Sequence, residues 1–158
     1  MVIERTAIRA ILLTPEREVL LMQIGNPRGG DPFWITPGGG IETGETAAEA
    51  LRRELAEELG LTEFEIGPAL WRRHHTFTWG ERRISQREEY RVVHVERFEP
   101  AMTDAVEAEA LKRFHWWRIT DLALTKERLT PLSLALILER YLKEGPPEPL
   151  PDTEVLVD

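Results

Sequence analysis

Glu54, Glu57 and Glu58 stand at i, i+3 and i+4, a spacing that would put three carboxylates on one face of a helix, a turn apart. On a bare surface, like charges so placed repel by roughly 0.2–0.5 kcal/mol per pair. A divalent cation reverses the sign of that interaction. Hard ions such as Mg²⁺ take oxygen ligands and are commonly shared between carboxylates and the phosphates of a substrate. The chemistry this trio would serve is metal-assisted work on a phosphate compound.

The helix that must carry these carboxylates is well marked. Thr46 is placed to be its N-cap, and Glu49 three residues on completes a capping box. Ala47 to Leu59 uses only Ala, Glu, Leu and Arg, all strong helix formers, and Gly60 supplies the residue that ends the helix. Ahead of it the chain passes through Gly38, Gly39, Gly40 and Gly44. From Gly39, five residues lead to Glu45 and seven more to Arg53-Glu54; Leu55, Glu57-Glu58, Gly60 and Leu61 follow.

Over the 23 residues from Gly39 to Leu61, this pattern resembles the Nudix box at every specified position. The resemblance implies a hydrolase that cleaves the diphosphate linkage of a nucleoside di- or triphosphate or a nucleoside diphosphate derivative, with Mg²⁺, or Mn²⁺ in its place, as cofactor. It also implies roles for single residues. The Gly38 carbonyl, Glu54, Glu57 and Glu58 would hold the metal, and Glu54, Arg53 and Glu57 would form the catalytic set, with Arg53 orienting a glutamate and Glu45 in support. Taken alone, the residues also permit a charged surface helix after a glycine-rich turn, with Arg53 an ordinary i,i+4 partner of Glu49 or Glu57.

Composition narrows the partners. The 158 residues suit one domain with a sizeable core, and 42% hydrophobic and 30% charged residues are ordinary for a globular protein. A net charge of −8 argues against general nucleic-acid binding, and the partner that the resemblance implies is a small nucleotide. With no cysteine, disulfides and thiolate zinc sites are excluded. The N-terminal stretch lacks the pattern of a signal peptide and no apolar run reaches membrane-spanning length, which points to a cytoplasmic protein without membrane attachment. The family resemblance adds a homodimer as the expected assembly.

The remaining elements read in order as follows. Thr6–Leu13 and Val19–Ile24 form a hairpin; residues 25–32 are a glycine-rich loop; Phe33–Thr36 is a short strand entering the glycines. After the helix, Ala69–Thr78 and Ile84–Phe98 are long strands joined by a tight turn. Val106–Leu111 reads as a short helix and Arg113–Ile119 as a strand, and Thr130 would N-cap a last helix with Pro131 at its first position. Residues 1–145 make a single domain, and 146–158 a proline-rich extended tail whose Val155-Leu156-Val157 end either frays or docks on a neighbouring subunit. Strands and helices do not alternate as in a doubly wound sheet. The expected class is α/β, and the resemblance implies an α/β/α sandwich around a mixed sheet.

Outside the box, candidates are looser. Arg28 in the loop would meet a phosphate or be solvated. Trp34 and Phe77 are stacking surfaces for a base or packing residues, and so is Trp79. Adjacent His74 and His75 must point to opposite strand faces, one structural and one exposed. Arg72, Arg73, Arg82, Arg83 and Arg87 form either a solvated hairpin tip or a positive lip for a polyphosphate. The general base would be Glu54, a downstream glutamate (Glu107 or Glu109), or Glu88 or Glu89. The signatures the family uses for ADP-ribose, dinucleoside polyphosphate, NADH and coenzyme A substrates are absent. An isomerase of the same fold would need a cysteine; a nucleotide-binding domain without catalysis is the alternative that remains.

Overall fold

In a computed structural model the described residues are 1–26, 29–102 and 110–158. Among them the chain forms a mixed sheet with the strand order β8-β3-β2-β1-β6-β5-β9, to which β4 adds on β1 and β7 on β2. The strands are β1 (Val2–Leu13), β2 (Glu18–Ile24), β3 (Phe33–Ile35), β4 (Gly38–Gly40), β5 (Ala69–Trp79), β6 (Arg82–His94), β7 (Leu111–Arg118), β8 (Arg128–Thr130) and β9 (Glu154–Val157). The helices are α1 (Ala47–Leu59), α2 (Ile119–Leu124) and α3 (Leu134–Glu144).

Strand alternation divides the apolar residues into two cores. Ile8, Ala10, Leu12, Leu20 and Val93 face α1, where Ala50, Leu51, Leu55 and Leu59 meet them. Ile11, Leu13, Val19, Tyr90 and Val92 face the other way, onto Leu122 of α2 and Leu134, Ile137 and Leu138 of α3. This is the α/β/α arrangement expected. β1 lies central, antiparallel to β2 and β4 and parallel to β6, so it touches both the glycine run and the long hairpin. The β5–β6 turn is Gly80-Glu81, with Gly80 at φ 64°, a conformation that glycine adopts without cost.

Several expectations are corrected. The glycines are not simply a turn, because Gly38–Gly40 pairs with Arg9, Ile8 and Ala7 as a strand. Thr130 does not cap the last helix; it ends β8, which pairs with β3, and α3 starts at Leu134 after Ser133. The tail does not fray within this chain. Its Glu154–Val157 segment pairs in parallel with β5, giving partners to an edge that would otherwise stay open. β6 ends at His94 rather than Phe98. Leu111 belongs to β7, while most of the expected 106–111 helix lies outside the described residues. Both histidines are half-buried and hydrogen-bonded, His74 to Ser85 and His75 to Asp158.

Leu51 sits between α1 and the sheet with no exposed surface. Leu51→Ala is expected to lower unfolding free energy by about 2–5 kcal/mol, read as a shift of the urea midpoint at unchanged slope.

Candidate active site

α1 is fixed at both ends as its sequence requires. The Thr46 hydroxyl accepts from the Glu49 N–H at 3.1 Å and the Glu49 carboxylate accepts from the Thr46 N–H at 2.9 Å, while Gly60 closes the helix at φ 70°. The helix therefore presents Arg53, Glu54, Glu57 and Glu58 toward β4 in a fixed register.

β4 passes where no side chain fits. A Cβ on Gly38 would collide with the Ile8 carbonyl of β1, and Gly38 is at φ 135°. A Cβ on Gly39 would lie 2.6 Å from the Glu54 carboxyl carbon. The glycines thus let backbone lie flat between β1 and the glutamate face of α1. Glu58, buried, accepts from the Gly38 N–H at 2.8 Å. Glu54 is 5% exposed; its Oε1 accepts from Arg53 Nη1 at 2.9 Å, and its Oε2 is buried without a hydrogen-bond partner. Burial raises the pKa of Glu54, against the opposing pull of Arg53.

Arg53 joins the parts. Its Nε and Nη2 donate to the two Glu45 oxygens at 2.8 and 3.0 Å, a bidentate pair, and Nη2 also reaches the Gly40 carbonyl at 3.0 Å. Nη1 lies 3.5 Å from Glu57. The Arg53 hydrogen bonds hold Glu45 down to about 2, helped by the Glu42 N–H. Arg53, Glu54 and Glu57 line an open cleft of about 800 Å³ together with Gly40, Ile41, Glu42 and the β1 residues Glu4, Arg5 and Thr6.

The box residues are thus together, but not as a ready cage. Among the described residues no three acidic or histidine side chains are gathered as ligands of one ion. Glu58 is turned to the Gly38 N–H, and the Gly38 carbonyl accepts from Arg9 Nη1 at 3.1 Å. What fits a cation is the donor set itself: hard oxygens at the floor of an acidic cleft, one of them, Glu54 Oε2, buried and unpartnered. Mg²⁺ commonly uses only one or two carboxylates and completes its shell with waters and substrate phosphates.

A family model for the NUDIX domain matches residues 4–136. The chain belongs to the NUDIX family. It is similar to an RNA pyrophosphohydrolase of Helicobacter pylori strain G27, 41% identical over 66 residues that make up 39% of this chain and 41% of that protein. It is also similar to the nucleoside triphosphatase NudI of Enterobacter sp. strain 638, 55% identical over 42 residues, 26% of this chain and 30% of that one. The chain therefore spans less than half the length of these curated relatives. Among solved structures, the MutT protein of Methanosarcina mazei Go1 shares the fold at TM-score 0.63 and 18% identity, over 90% of this chain and 96% of that one.

Among the described residues, Trp34, Phe77, Glu88 and Glu89 are not among those that line the cleft. Trp34 is fully buried, edge-on to Trp117 with Arg113 over its ring, so it is core and offers no face to a base. Phe77, on β5, packs against His75 and is not among the cleft residues. Glu88 is not free to act as a base: it is buried and accepts from Arg9, Arg73, Gln86 and Tyr90. Glu89 pairs with Arg91 at 3.4 Å. The arginine lip is corrected too. Arg73 is buried between Glu88 and Glu154, while Arg72 and Arg83 hold the carbonyls of Pro151 and Asp158 in the tail. Arg28, Glu107 and Glu109 lie outside the described residues. Sequence reasoning missed Arg5, which lies across Gly40 in the cleft, and Arg9. A charge amid the apolar run Thr6–Leu13 was the available signal, since a buried charge requires a partner.

Two outcomes follow from this geometry. Gly38→Ala meets backbone at a positive φ and is expected to cost about 1–3 kcal/mol or more, whereas Gly39→Ala meets only the end of the Glu54 side chain and should lose less stability; paired thermal melts decide. Glu45, lowered on folding, contributes stability that is present above its ordinary pKa and lost as pH falls toward 2. The stability gap between the native chain and Glu45→Gln should therefore narrow between about pH 5 and 2, read from denaturant midpoints across that range.

Proposed function

We propose that this chain hydrolyses the diphosphate linkage of a nucleoside di- or triphosphate or of a nucleoside diphosphate derivative, with Mg²⁺ held by Glu54 and Glu57 and supported by Glu58 and the Gly38 carbonyl. The observation that carries this reading is the buried, unpartnered Glu54 Oε2 beside Arg53 in an open acidic cleft. A divalent cation bound there would acidify water and neutralise phosphate oxygens.

The chain's own residues take the remaining tasks. Water adds to one phosphorus, the bridging oxygen leaves with the other phosphoryl group, and the proton from water passes to Glu54. Arg53 fixes the orientation of Glu54 through Nη1 while Glu45 holds the other side of the guanidinium. Arg5 adds positive charge to that of Arg53 in a cleft also lined by Glu4, Glu42, Glu54 and Glu57, as a polyanion entering it requires. The matches to a pyrophosphohydrolase and a nucleoside triphosphatase support the substrate class.

The test is product release with Mg²⁺ across nucleoside triphosphates, nucleotide sugars, dinucleoside polyphosphates and 5′-triphosphorylated RNA. At least one class should be turned over, and Glu57→Gln should lower kcat by about a hundredfold, at the upper end of what even outer-shell partners of a metal are worth. Thermal stabilisation by a nucleotide with no turnover of any compound would instead establish a binding domain.

A further inference from the structure

The box loop is held from both faces of the sheet, and only one of the two holds comes from the box. From the α1 side, Glu58 accepts from the Gly38 N–H at 2.8 Å. From β1, Arg9 Nη1 donates to the Gly38 carbonyl at 3.1 Å and to the Thr36 carbonyl at 3.3 Å. Arg9 cannot swing freely, because its Nε donates to Glu88 Oε2 at 3.0 Å. Glu88 is itself fixed by Arg73 at 2.8 Å, Gln86 at 3.1 Å and Tyr90 at 3.2 Å, and Arg73 continues to Glu154 of β9 at 3.0 Å. The charges alternate along Arg9, Glu88, Arg73 and Glu154 and cancel, so the guanidinium reaches the loop without adding net charge near it.

We propose that Arg9, locked by Glu88, is a positioning residue that sets the direction of the Gly38 carbonyl and thereby the cation affinity of the cleft. The inference rests on the metal-dependent reading above. A carbonyl oxygen has two lone pairs, and Arg9 occupies one of them, leaving the peptide plane fixed and the other available. Groups that orient a ligand in this way determine affinity without touching the ion. Lysine at position 9 would keep the charge opposite Glu88, but it has no planar fork to bridge Glu88 and two carbonyls at once.

The experiment is Mn²⁺ binding to the full chain without nucleotide, by calorimetry and by loss of the free-ion paramagnetic resonance signal, with thermal melts on the same samples. Arg9→Lys and Glu88→Gln should each weaken Mn²⁺ binding by about tenfold, and in turnover they should lower kcat more than they change the nucleotide KM. Leu138→Ala, on the core face of α3, serves as the control: it should lower Tm and leave Mn²⁺ affinity as in the native chain. Arg9→Lys with native affinity would overturn the inference, and so would Leu138→Ala weakening Mn²⁺ equally. Should Arg9→Lys fail to fold, Glu88→Gln decides on the same criterion. A native chain that neither binds Mn²⁺ nor turns over any nucleotide would remove the metal-dependent reading and this inference with it, whereas native binding matched by the variants would remove this inference alone.

Discussion

The structure depends on a strip of backbone lying where no side chain can be accommodated. β4 pairs with β1 on one side and faces the Glu54 and Glu58 carboxylates on the other, and a Cβ at Gly38 or Gly39 would collide with one or the other. This close approach allows the Gly38 N–H to satisfy Glu58, and the Gly40 carbonyl to satisfy Arg53, in a place that water does not reach freely. Buried carboxylates are tolerated only when such donors are present. The glycines are thus the condition for burying two glutamates on α1, and that burial in turn raises the pKa of Glu54.

Arg53 then resolves a charge problem. Glu42, Glu45, Glu54 and Glu57 crowd one end of an acidic chain, and all four lie within 4 Å of the same guanidinium. A lysine ammonium could neutralise charge there but could not hold Glu45 through two parallel hydrogen bonds while reaching Glu54 with a third nitrogen. The fork geometry makes the cluster a fixed array in which Glu54 Oε2 alone is left without a protein donor among its buried side-chain oxygens.

The site was legible in sequence to the extent that it is local. Thr46, Glu49 and Gly60 announce α1 through caps that depend only on neighbouring residues, and the box spacing announces which carboxylates share a face. The parts that could not be read are those made by distant pairing. Nothing near Glu154 signals that it will meet Arg73, 81 residues away, so the sequence leaves the arginines of β5 and β6 open between a solvated tip and a phosphate lip, whereas two of them hold the tail and a third is buried. Trp34 was ambiguous for the same reason, since its burial is decided by Trp117 on a strand that arrives much later. Thr130-Pro131 carries a sound local helix-start signal, but parallel pairing of Arg128–Thr130 with β3 prevails over it.

The buried charges on the α3 side of the sheet need a reason, because apolar residues of similar volume often stabilise a core as well or better. Leaving one charge of such a set unpaired costs about 3–5 kcal/mol, so the arrangement stays intact only while every member is present. In exchange for that fragility the set has direction: both oxygens of Glu88 are held by donors, and the last donor in the line meets two carbonyls of the segment that enters the box. An apolar core could fill the space beneath β1 but could not orient a peptide group. Burial pushes Glu88 upward, yet Arg9 and Arg73 hold it below its ordinary value. The two faces of the sheet therefore contribute differently to one residue. The helix face supplies an acceptor for the Gly38 N–H, the opposite face supplies a donor for its carbonyl, and the glycine between them is held by both.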